Sequence, residues 1–154
     1  GVVGVPATAG TLQGAKFAAL LDRVATEVRV ITQPCPGLVE LIETGDLKSA
    51  ALRQMLQGYV EPLLSAGCDT IILGCTHYPF LKPLLAQMLP PSIILIDTGA
   101  AVARQLKRLL GERDLLACAN PEPAQFWTSG DVDHLRNILP TLWKSPGIVR
   151  NFGW

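Results

Sequence analysis

Short apolar runs alternate with stretches whose apolar residues recur every three or four positions. Residues 2–5 read as a buried strand. Phe17, Leu20, Leu21 and Val24 then fall at i, i+3, i+4 and i+7, one face of a helix. Residues 28–32 predict a second strand. Leu52, Met55, Leu56, Tyr59 and Leu63 mark a second long helix, with Asp46 as its expected N-cap. Residues 70–73 read as a short buried strand, and residues 79–89 as a helix interrupted or kinked by Pro83. Residues 93–96 predict a fourth strand. Val102, Leu106, Leu109 and Leu110 form a helix face after Asp97-Thr98-Gly99. Strands alternating with helices imply βαβ crossovers, hence an α/β fold with a parallel sheet covered on both faces.

After Gly111 the pattern weakens. Residues 118–123 form a loop with two prolines. Residues 125–128 predict a strand, 131–139 a helix and 147–150 a last short strand. This tail is less apolar, has no evident sheet of its own, and reads as material that packs onto a different core. The other end is also informative. The chain opens on Gly1 inside a strand pattern, as expected of a piece of something longer.

Composition narrows the class. The chain is 49% hydrophobic and 17% charged, enough for a real core and too apolar for disorder. Formal net charge is zero, which offers nothing to nucleic acid or an anionic membrane. No apolar run is long enough to span a bilayer. The four cysteines, Cys35, Cys68, Cys75 and Cys118, show no C-x-x-C spacing and read as reduced thiols in a cytoplasmic protein.

Ligands of open parallel sheets bind beyond the carboxyl ends of the strands. The segments there are Pro6 to Thr11, Gln33 to Gly37, Gly74 to Pro79, and Asp97-Thr98-Gly99. Small hydroxyl and thiol side chains beside glycine, with free amides nearby, suit a carboxylate or phosphate. Cys75 is the sharpest candidate. It follows a buried strand and Gly74, and precedes a helix that Pro79 can start, where the helix dipole would favour its thiolate. His77 could polarise it or shuttle a proton. The alternative is a buried structural thiol beside a satisfied histidine. Metal is disfavoured, because Cys-x-His is poor ligand spacing and the other histidine, His134, lies in the tail. Cys35, between two prolines, reads as a turn-packing thiol. Cys68 and Cys118 read as structural. Thr8 and Thr11 are expected caps of the first helix. Glu43 is either a solvated acid at a helix end or a site residue. No phosphate-binding loop is present: Gly4 and Gly10 lack the lysine of a P-loop.

The run Leu73-Gly74-Cys75-Thr76-His77-Tyr78-Pro79-Phe80-Leu81 resembles the second cysteine motif of glutamate racemases. Val3-Gly4-Val5-Pro6-Ala7-Thr8 resembles their Gly-Thr-x-Ala-Thr strand and loop, with Val5 where threonine is common. Cys35 to Glu43 resembles their Cys-Pro-x-x-Val-Pro-Leu-x-Glu segment, with Glu40 replacing a proline. Asp97-Thr98-Gly99 and Phe126 to Asp131 resemble two later motifs. The motifs stand in family order along the whole chain.

The resemblance implies an isomerase that interconverts L- and D-glutamate without pyridoxal phosphate or metal. Two cysteines act, one on each face of the substrate α-carbon, and D-glutamate supplies cell-wall peptidoglycan. It makes Cys75 the thiol that deprotonates L-glutamate, with His77 assisting. Thr76, Thr8 and Glu43 fall at substrate-site positions. It also implies two pseudo-symmetric α/β domains. Residues 1–97 would be the second, and 98–154 would return to complete the first, whose cysteine is absent here. The expected partners are glutamate and the N-terminal half of the same protein, and a homodimer is left open. Alone, the chain is expected to be inactive. Two other readings stay open: a non-catalytic module binding a carboxylate or a protein partner, and another amino-acid racemase of the same superfamily.

Overall fold

The protein is described here by a computed structural model covering residues 1–24, 27–117, 122–143, 145 and 147–153. The expected structural role of Cys118 lies outside the described residues.

A four-stranded sheet is built from β1 (Val2–Ala7), β2 (Arg29–Pro34), β3 (Thr70–Ile72) and β4 (Ile94–Ile96) in the order β2-β1-β3-β4, with every pairing parallel. Between β1 and β2 lie α1 (Ala9–Leu12) and α2 (Ala15–Val24), and between β2 and β3 lie α3 (Leu38–Glu43) and α4 (Ala50–Ser65). A 3-10 turn (Tyr78–Leu81) runs into α5 (Lys82–Met88) before β4. α6 (Gly99–Gly111) follows β4. The tail holds β5 (Ala124–Thr128), α7 (Val132–Leu142) and β6 (Gly147–Asn151), with β5 and β6 paired in parallel.

The core lies on one face of the sheet. Leu52, Leu56, Val60 and Leu63 recur along α4 and are buried with Ile71, Leu81, Leu84 and Leu85. At about 25 cal/mol per Å² of apolar surface, each such side chain contributes roughly 1.5–3 kcal/mol over its exposed state. Gly4 allows this approach: a Cβ there would meet Leu63 and Cys68 at 3.1–3.2 Å.

Cover on both faces, expected from the pattern, forms in full on one face and only in part on the other. Moving from β1 to β2 crosses the sheet in one direction, and the next two crossovers go the other way. Right-handed connections therefore put α2 on one face and α4 and α5 on the opposite face. α2 shields only part of its side, and Ile94 and Ile96 remain 60% and 40% exposed.

Other local expectations need correction. Ser49, not Asp46, caps α4: Leu52 N donates to Ser49 Oγ at 3.3 Å, while Asp46 accepts from Lys48 N in the preceding turn. The segment expected to be interrupted at Pro83 is divided just before it: the 3-10 turn ends at Leu81 and α5 starts at Lys82, leaving Pro83 in the first turn, where no amide partner is lost. The tail does have a sheet, the β5–β6 pair joined through α7. Among the described residues no helix is long and apolar enough to cross a membrane.

Candidate active site

Because the four strands run parallel, their carboxyl ends meet along one edge, and main-chain hydrogen bonds knit the loops there. Cys35 N donates to Ala7 O, Gly74 N to Pro6 O and Leu73 N to Ile96 O, at 2.9–3.0 Å. Gly74 is the tightest point. A Cβ at this position would stand 2.8 Å from Ala7 Cβ and 3.0 Å from Pro6 O, so only glycine lets the Cys75 loop lie against the end of β1.

Cys75 is half-buried just beyond β3. The helix expected to follow it opens with a 3-10 turn of four residues, and α5 proper starts only at Lys82. That turn is too short for a substantial dipole. His77 Nδ1 stands 4.0 Å from Cys75 Sγ, and His77 Nε2 stands 3.0 Å from Glu43 Oε1. Glu43 arrives from a distant part of the chain, as the last residue of α3. An ionised carboxylate only accepts hydrogen bonds, so Nε2 must carry the proton. In the neutral ring Nδ1 then offers its lone pair to the sulfur. In the cation it offers a proton to a thiolate. Glu43, His77 and Cys75 thus stand in series, a geometry that can orient an imidazole toward a thiol.

The hydroxyl residues are placed differently. Thr8 caps α1, accepting from Thr11 N, and its Oγ1 is 3.0 Å from Thr11 Oγ1. Thr76 is exposed. With Thr11, Cys75, Thr98 and Gly99 it lines the polar mouth of a cleft of about 710 Å³. The rest of its lining is apolar, from Phe17, Leu20 and Leu21 of α2 and Val3, Val5 and Ile72 of the sheet.

Sequence reasoning missed two supports. Lys82 Nζ donates to Asp97 Oδ2 at 2.6 Å, and Asp97 Oδ1 accepts from Gly99 N at 2.9 Å. The Lys82 ammonium, followed by the Gly99 amide, holds the Asp97 carboxyl below its usual range. The pair ties the Thr98-Gly99 turn to the element that follows Cys75. The second support is Tyr78, whose ring is 1% exposed. Its hydroxyl is buried beside Cys35, whose own S–H donates to Gln33 O at 3.3 Å. Burial pushes the Tyr78 phenol well above its ordinary value and the Cys35 thiol up to about 11. Cys35 is therefore a protonated packing thiol. Tyr59 donates to Pro36 O at 2.6 Å and fixes the same turn. Among the described residues no group of three or more histidine, cysteine, aspartate or glutamate side chains is placed to hold a metal ion.

A sequence model of the Asp/Glu/hydantoin racemase family matches residues 1–106. A glutamate racemase of Pseudomonas putida is 72% identical over 99% of the chain, and one of Stutzerimonas stutzeri 62% identical over 99%. The chain spans 57% of the length of each. Among solved structures, a glutamate racemase isoform of Bacillus anthracis superposes with a TM-score of 0.86 at 27% identity. It is matched by 99% of this chain, which covers 57% of it. The Escherichia coli glutamate racemase, solved in complex with L-glutamate and the activator UDP-MurNAc-Ala, superposes at 0.78 with 29% identity. There the match takes in 98% of this chain and 57% of that one.

Proposed function

The chain belongs to the Asp/Glu/hydantoin racemase family, and from that premise we propose that the protein it represents interconverts L- and D-glutamate. The observation that carries this reading is the Glu43–His77–Cys75 series at the carboxyl edge of the sheet. Racemisation removes a proton from one face of the α-carbon and returns one to the other, so it needs a proton carrier on each side. Cys75, as thiolate, takes the α-proton of L-glutamate, and His77 and Glu43 manage the charge on that sulfur. A second thiol, on the part of the protein beyond this chain, delivers a proton to the opposite face. In the reverse direction the two exchange roles. Two thiols exchanging protons with carbon need no pyridoxal phosphate or metal.

Thr76 and Thr8, with the turn amides beside them, suit the substrate carboxylates. The apolar part of the cleft lining does not suit a charged amino acid, so the substrate belongs beside the hydroxyl and thiol residues. Residues 1–97 act as one of the protein's two domains, and 98–154 pack onto the other. An isolated pair of parallel strands supports this assignment, since parallel sheets ordinarily have more strands and cover on both faces. The product D-glutamate would serve peptidoglycan synthesis in the cytoplasm, and the 154-residue chain alone would not turn over.

The test uses the complete protein in D₂O. Glutamate should gain deuterium at the α-carbon without added cofactor, and dependence on pyridoxal phosphate would refute the scheme. Cys75→Ser should abolish most turnover while glutamate still binds by calorimetry, because a hydroxyl ionises far above a thiol. Cys35→Ser should act only through packing, at roughly 1–3 kcal/mol of stability. The reverse pattern would mean that the wrong thiol carries the chemistry.

A further inference from the structure

Glu43 owes its position to a turn that the tail touches. α3 ends at Glu43, and the chain turns back through Thr44 and Gly45, where φ is +81°. Thr44 Oγ1 donates to Leu41 O at 2.8 Å and accepts from Asp46 N at 3.3 Å, and Gly45 N donates to Ile42 O at 3.0 Å. Ile138 of α7 lies on this turn: a Cβ at Gly45 would be 3.6 Å from Ile138 Cγ2. Ile138 is 8% exposed and, among the described residues after 98, is the one buried side chain. Leu142, one helical turn on, packs against the main core. A buried side chain of the tail therefore meets the sheet domain two residues from the acid that contacts His77.

We propose that Ile138 is a positioning residue, which through the Gly45 turn holds the Glu43 carboxylate against His77. Its consequence for turnover rests on the racemase reading of the site. The physical case is independent of it. The Glu43 side chain is 45% exposed, so water competes for its carboxylate, and a small shift of α3 breaks a 3.0 Å contact. A turn through glycine has little stiffness of its own and takes its shape from what packs on it. Ile138 supplies that packing from α7. Movement of the tail relative to the sheet would thus reach His77 with no contact of its own at the site.

The experiment is a double-mutant cycle in the complete protein. Ile138→Ala should lower kcat/KM on the order of tenfold to a hundredfold, as misplacement of a catalytic array does. The fall must be equal in both directions, because the overall equilibrium is fixed. In a Glu43→Ala background the same change should have little further effect. An equal loss in both backgrounds, or none in the parent, would overturn the proposal. Ile138→Val, which keeps a branched side chain over Gly45, should recover most of the loss and guards against misfolding of the alanine variant. The His77 Nε2–H resonance gives a readout that needs no turnover: Ile138→Ala should shift it or speed its exchange with water, as Glu43→Ala does. An unchanged resonance would refute the positioning role. A parent protein with no turnover but an Ile138-sensitive resonance would sink the racemase reading alone.

Discussion

Cys35 and Cys75 sit at the ends of neighbouring segments, yet their surroundings fit them for different work. Cys35 is 2% exposed, and burial raises its thiol to about 11. Cys75 is half-buried and opens on the cleft. Iodoacetamide at pH 8 should label Cys75 well before Cys35, as peptide mapping would record; faster modification of Cys35 would contradict the assignment. The raised value also has a thermodynamic sign. The unfolded chain ionises Cys35 near the ordinary thiol range, while the folded chain keeps the proton to about pH 11. Its stabilising contribution is complete below the ordinary thiol value and is lost as pH rises toward 11. Urea unfolding should show stability declining over that window, and less steeply in Cys35→Ala. Gly74 makes a harder demand. Gly74→Ala forces a contact at 2.8 Å on Ala7, with backbone behind it. It should cost roughly 1–3 kcal/mol by overpacking and displace the Cys75 loop. A variant with unchanged melting and turnover would show that the loop has slack.

At the scale of elements, α4 offers the cleanest test. Its cap is Ser49, so Ser49→Ala should cost about 1 kcal/mol, and Asp46→Ala less, in denaturant melts. The sequence pointed to Asp46 because capping propensity does not rank two polar residues three apart; the ranking comes from where the chain leaves the Gly45 turn. The four sheet strands were legible because parallel strands are short apolar runs, and β3 and β4 are little else. The parallel pairing of β5 and β6 was not, since strand direction follows from the α7 crossover rather than from composition. At the site, Cys75 and His77 were readable as neighbours in one loop. Their link to Glu43 was not, for it spans 34 positions and depends on α3 folding back across the sheet edge. The Lys82–Asp97 pair stayed hidden for the same reason: two common surface residue types, 15 positions apart, carry no signal until α5 and β4 are placed.

On the scale of the whole molecule, β4 ends the sheet with three residues, and among the described residues its outer edge is unpaired. Its outward side chains, Ile94 and Ile96, belong to the uncharged run Ile93-Ile94-Leu95-Ile96. Natural edge strands are usually guarded by a charge, a proline or a bulge, and this one has none of these within the strand. Such a segment is a template for intermolecular strand addition. The 154-residue chain made by itself should therefore enter ordered aggregates that bind thioflavin T and seed fresh protein. Ile94→Lys should slow that growth while leaving the Cys75 loop on the neighbouring strand undisturbed, whereas equally fast seeding by the lysine variant would place the aggregation nucleus elsewhere. The bare edge makes this sheet a risk to the chain's own solubility as well as a scaffold for its chemistry.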